Sequence, residues 1–197
     1  MDTWRCFVAV DLPDDLRSDL AAAIATWRAE PDAPDVRWTD ASAWHLTLAF
    51  LGAIPPSSVD RIAAALDRVA AGGRPMTFAT GGLGAFPSRS RARVLWYGVA
   101  DRDGALGAMA DAVRDALVSL VPSLEHESPF RAHVTIARVR DQRGIDASGW
   151  LQSCRAPDGR LPLLALRLYR SHLGGQRPAR YELIREVGLE REASVHG

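Results

Sequence analysis

Residues 45–52 read HLTLAFLG and residues 133–140 read HVTIARVR. The first is apolar at nearly every position and is closed by Gly52 and the Pro55-Pro56 pair, so it reads as a strand buried on at least one face. The second has the same character. Alternate side chains of a strand share a face, so His45 and Thr47 point the same way, as do His133 and Thr135. Two stretches of the form His-aliphatic-Thr-aliphatic-Ala are the frame around which the remaining elements arrange themselves.

Upstream of the first stretch, residues 6–10 form a short apolar run bounded by Asp11, Leu12 and Pro13, which predicts a buried strand. A helix follows, with Leu16, Leu20, Ile24 and Trp27 recurring at spacings of three and four until Pro31 and Pro34 end it. Residues 36–38 suit a short strand. Downstream, Ser57 or Ser58 opens a second helix with Ile62, Ala65, Leu66 and Val69 as its apolar stripe, and Gly72-Gly73 stops it.

Residues 76–80 and 93–100 are strand-like, with GGLGAF at 81–86 read as a turn between them. A third helix spans about residues 103–120, with Leu106, Met109, Ala110, Val113 and Leu117 on one face, and 124–130 reads as loop. After the second His-Thr strand and a polar loop, residues 161–171 and 181–187 make two closing strands around a turn with Gly174, Gly175 and Pro178. The order strand, helix, His-Thr strand, helix thus occurs twice in loose form, which suggests two similar lobes. Few strands, long helices and several hairpins place the chain in the α+β class.

The chain has 197 residues, nearly half of them hydrophobic, the mix of a globular protein with a sizeable core. The expectation is one bilobal domain over 1–197, with half-sites near 45–52 and 133–140 and a flexible last few residues. Lys plus Arg equals Asp plus Glu at 24 each, so no global field draws the protein to nucleic acid or anionic lipid. Local basic clusters remain at 87–94 and 128–143, and arginine's planar fork suits phosphate oxygens. Cys6 and Cys154 are too few for a disulfide framework, the N-terminus lacks a signal-peptide core, and no apolar run approaches the length of a membrane span. These features predict a soluble, cytoplasmic protein.

Histidine titrates near neutrality, so two of them supply both partners of general acid-base chemistry. A threonine hydroxyl on the same face can hold a phosphoryl oxygen or orient its histidine without adding negative charge. A single His-x-Thr in a strand is weak, since threonine favours strands and half-buried histidines are common. Two matched copies are another matter, because a core has no need of two imidazoles on equivalent strands. His126, His172 and His196 lack this setting and read as surface or loop residues. Metal chemistry is disfavoured by the absence of HxH, HExxH or a carboxylate at the inward positions of either motif. No GxSxG elbow is present, and neither cysteine lies near a histidine in sequence.

The two motifs lie about ninety residues apart. With the opening RCFVAVDLP, the late LYRS and the following ARYELI, they resemble the two-histidine phosphoesterase superfamily, in its bacterial and archaeal RNA 2′,3′-cyclic phosphodiesterase branch, historically called 2′-5′ RNA ligases. The resemblance implies two lobes, each an antiparallel sheet with flanking helices, around a central cleft bearing the two His-Thr strands. It implies His45 and His133 as catalytic residues, Thr47, Thr135 and Arg138 as phosphate-binding residues, and no metal or other cofactor. It implies as substrate an RNA or nucleotide with a cyclic phosphate end, opened to a 2′-phosphate, with weak ATP-independent 2′-5′ ligation as a companion activity. Small cyclic nucleotides as substrates, or a binding module without turnover, stand as alternatives, and no protein partner beyond a monomer is expected. Which histidine is acid and which is base stays open. By strict strand alternation Arg138 points away from His133, so its contact with substrate requires a twist or strand end there. The branch usually has proline before the second histidine; here that residue is Ala132.

Overall fold

The structure is a computed structural model that describes residues 2–126, 129–172 and 180–190. Its strands are β1 (Trp4–Asp11), β2 (Val36–Trp38), β3 (His45–Ile54), β4 (Met76–Phe86), β5 (Val94–Val99), β6 (His133–Val139), β7 (Gly159–Leu163), β8 (Ala165–His172) and β9 (Arg180–Gly188). Its helices are α1 (Asp14–Arg28), α2 (Val59–Ala71), α3 (Ala105–Leu117) and the short α4 (Ser148–Ser153). The three long helices carry the apolar stripes read from the sequence: Leu16, Leu20, Ile24 and Trp27 in α1, Ile62, Ala65 and Leu66 in α2, and all five named residues in α3 are buried.

The strands form one antiparallel sheet in the order β7-β4-β5-β6-β3-β1-β8-β9, with β2 also pairing with β6. Each His-Thr strand leads one half of this sheet. β3 continues into β1, β8 and β9, and β6 into β5, β4 and β7. The two halves meet where Leu46 pairs with Val134, so the expected two lobes share a continuous sheet. α2 packs on α3 and against β8 and β9, α3 lies against β3, and α1 lies against β7. Leu46, Leu48, Val134 and Ile136 point into the core on the helix side, which leaves their neighbours for the opposite face.

Three local readings need correction. GGLGAF is strand, not turn: two residues, Gly81 and Gly82, stand against Gly98 between the pairs Thr80–Val99 and Leu83–Tyr97, a β-bulge made possible by Gly82 at φ +72°. Gly84 is required for a different reason, since a Cβ there would lie 2.1 Å from the Trp96 ring. Residues 161–171 are two strands, not one. The chain breaks at Leu164, so that β7 pairs with β4 at one edge while β8 pairs with β1 in the other half. The polar loop after β6 contains α4, whose Trp150 and Leu151 are buried. The turn at Gly174, Gly175 and Pro178, His196 and the expected flexible C-terminal residues lie outside the described residues.

Candidate active site

β3 and β6 begin with their histidines and run antiparallel through the Leu46–Val134 pair. This register sets His45 opposite Thr135 and Thr47 opposite His133. Both pairs are half-buried between inward-pointing neighbours, and the burial sequence is the same over HLTLAF and HVTIAR. All four side chains, together with Arg138 and Tyr181, line one cleft of about 280 Å³.

Arg138 reaches that cleft through a bulge. β5 pairs Leu95 with Ala137 and Trp96 with Thr135, leaving Ile136 as an extra residue in β6. An extra residue shifts the alternation by one, so both Ile136 and Ala137 are buried and Arg138 returns to the His133 face. β3 carries the same device. β1 pairs Val8 with Ala49 and Ala9 with Thr47, so Leu48 is the extra residue and Phe50 rejoins the face of His45 and Thr47. Phe50 therefore occupies in the first half-site the position of Arg138 in the second, and 58% of it is exposed.

The imidazoles are held alike. Nδ1–H of His45 donates to the Ala43 carbonyl at 2.8 Å, and that of His133 to the Arg131 carbonyl at 2.6 Å. A carbonyl only accepts, so Nδ1 carries the proton in the neutral ring and Nε2 is left for the cleft. His45 stacks on Phe7 with centroids 4.6 Å apart and meets Tyr181 edge-on at 5.1 Å, while His133 meets Phe86 edge-on at 4.8 Å. Burial against these rings pushes His45 down from 6.5 to about 4, against the opposing pull of the Ala43 carbonyl and the Asp11 carboxylate. Burial also lowers His133, opposed by the Arg131 carbonyl and assisted by the Arg138 guanidinium. Cys6 lines the cleft as well, but burial raises its thiol to about 11, so it is no thiolate near neutrality.

Residues 10–96 match the family model described as LigT-like phosphoesterase. The RNA 2′,3′-cyclic phosphodiesterase of Aeropyrum pernix is 33% identical over 148 residues, which cover 73% of this chain and 81% of that one. The chain belongs to the LigT-like phosphoesterase family. A relative of the same name from Archaeoglobus fulgidus is 31% identical over 136 residues, 69% of this chain and 73% of its own. Another, from Geobacillus stearothermophilus, is 32% identical over 178 residues; the match takes in 90% of this chain and 55% of that relative, so the chain spans about half its length. Among solved structures, E. coli LigT in its apo form superposes with a TM-score of 0.72 at 25% identity, over 97% of this chain and 100% of LigT.

Within this family fold, some of the cleft was not read from the sequence. Phe7, Phe86 and Tyr181 touch the histidines from three separate strands. Phe7 sits in a run of apolar residues where alternation gives no signal, and Phe86 ends the segment read as a turn. Of the two arginine-rich stretches, residues 128–143 supply Arg131 and Arg138 to cavities beside the histidines. Residues 87–94 supply no arginine to the cleft lining, and Arg89 donates to the Leu83 carbonyl at 2.9 Å instead. His172 stands apart from the site, exposed and 2.7 Å from Glu182.

Proposed function

We propose that the chain hydrolyses RNA 2′,3′-cyclic phosphate ends to 2′-phosphates, with His45 and His133 as the acid-base pair. The observation that carries this reading is the antiparallel junction at Leu46–Val134, on which two imidazoles with matching Nδ1 anchors share one cleft with two hydroxyls and a guanidinium. The activity named for the curated relatives agrees with it.

A water oxygen forms a bond to phosphorus while the bond from phosphorus to O3′ breaks. One histidine, neutral at Nε2, takes the water proton; the other, protonated, gives a proton to O3′. Thr47, Thr135 and Arg138 bind the nonbridging oxygens and stabilise the charge that builds there. No carboxylate is among the described residues lining this cleft, so the donor set favours an anionic substrate over a metal ion. The protein is proposed to work as a bilobal monomer in the cytoplasm, consistent with its two unpaired cysteines. Among the described residues no helix is long and apolar enough to cross a membrane.

The test is turnover of an oligoribonucleotide ending in a 2′,3′-cyclic phosphate, with excess EDTA present. The expected result is an undiminished rate and a 2′-phosphate product. Loss of activity on chelation with recovery on adding a divalent ion would refute the metal-free route. Faster turnover of a cyclic mononucleotide than of the oligonucleotide would shift the substrate to small cyclic nucleotides.

A further inference from the structure

His45 owes its orientation to the Ala43 carbonyl, and Ala43 lies in a single 3-10 turn, Ala41–Ala43, that is not part of the sheet. A bond to a loop carbonyl orients a ring only as well as the loop itself is held. One end of the loop is fixed through β2, which pairs with β6, and through the Thr39 N–H, which donates to the Ile136 carbonyl at 2.9 Å. Asp40 caps the turn by accepting from the Ser42 N–H at 2.9 Å.

The other end is fixed by Arg17 of α1. Its Nη1 donates to the carbonyls of Ala41 and, at 3.3 Å, Trp44, and its Nη2 donates to the Leu12 carbonyl at 3.1 Å. The guanidinium thus ties the residues on both sides of Ala43 to the junction between β1 and α1. A planar fork of five donors suits this task, since Nη1 serves two carbonyls of the turn while Nη2 serves Leu12. The second half-site is held differently. Next to Arg131, the carbonyl of Ala132 accepts from the Val99 N–H at 3.4 Å, so the sheet itself supports that histidine's anchor.

We infer that Arg17 is a positioning residue for the reaction: by clamping the Ala41–Trp44 turn it holds the Ala43 carbonyl where it fixes His45 with Nδ1 protonated and Nε2 facing the phosphate. Arg17 also borders a second cavity beside His45, where an arginine would ordinarily be read as a phosphate ligand. Its engagement with three carbonyls separates these two roles, and they differ in kinetics. A positioning residue acts on kcat, because misplacing a reacting group by about 1 Å can cost about 10²-fold. A phosphate ligand acts on KM as well.

The inference rests on the phosphodiesterase reading for its kinetic arm only. Arg17→Gln and Arg17→Lys are compared with the wild type by long-range 1H–15N spectra of the imidazoles and by kcat and KM on a cyclic-phosphate oligonucleotide. In Arg17→Gln the His45 resonances should move from one Nδ1–H tautomer to a mixture while those of His133 stay in place. Its kcat should fall about 10- to 100-fold with KM within about twofold. Arg17→Lys, which keeps the charge and part of the clamp, should lie between. Unchanged His45 resonances in folded Arg17→Gln would overturn the inference, as would a raised KM at normal kcat. If Arg17→Gln does not fold, unchanged His45 resonances in Arg17→Lys would overturn it equally. Should the wild type fail to open cyclic phosphates, the spectra still decide the role of Arg17.

Discussion

Each histidine is set by three neighbours: a carbonyl two residues upstream, an aromatic ring against its face or edge, and a threonine across the strand pair. The rings exclude water, and exclusion disfavours the charged imidazolium, so both histidines lie below 6.5 before substrate arrives. The proposed displacement needs one of them protonated and the other neutral. In the free protein that one-proton state is most populated between the two titrations, whichever ring holds the proton. Because kcat/KM follows the free enzyme, its profile should be bell-shaped with a maximum below pH 6.5. It falls toward pH 8 as the acid loses its proton, and falls below about pH 4 as His45 gains one. Rates measured from about pH 3 to 8 check this; a kcat/KM that keeps rising to pH 8 would contradict the burial argument.

At the scale of the strand, phase decides which side chains reach the cleft, and the bulges set the phase. Simple alternation from His133 assigns Val139 to the cleft, whereas the extra residue Ile136 assigns Arg138. Arg138→Ala should therefore lower kcat/KM by about tenfold or more, the effect of losing a charge-assisted bond to a phosphoryl oxygen. Arg140→Ala should change it less than twofold, because Arg140 lies beyond the end of β6, exposed and 3.3 Å from Asp35. Equal effects of the two substitutions would mean that Arg138 makes no contact with the phosphoryl group beyond that of an exposed arginine. The contrast also marks how far the sequence could be read. His45, Thr47, His133 and Thr135 are close enough together that the period of two holds, and their placement was legible. Arg138 was not, because the bulge depends on where β5 pairs, a nonlocal choice. Glycines at 81 and 82 suggested a turn when they serve a bulge inside β4, and the break at Leu164 is invisible in an apolar run whose two halves join different strands.

For the whole molecule, the cleft that holds both histidines exists because two half-sheets of different sequence meet at one pair of residues. Leu46 is fully buried there, between the helices below and the two His-Thr pairs above. Leu46→Ala should cost about 2–5 kcal/mol of stability. It should also reduce turnover although it removes no polar group, since it loosens the joint that fixes the distance between half-sites; thermal melting and kinetics on the same sample check both. The repeat of strand, helix and His-Thr strand foretold the two halves, but the continuous sheet and the exchange of β7 and β8 between them depend on long-range pairing that no local pattern carries. The central claim is that His45 and His133 act as one unit on one phosphorus. It is tested most directly by turnover of a cyclic-phosphate RNA end by His45→Ala, His133→Ala and the double variant, each shown to be folded by circular dichroism. The account predicts that each single substitution lowers turnover by at least about 10²-fold and that the double variant is little worse than either. A folded single variant with near-normal turnover would contradict it.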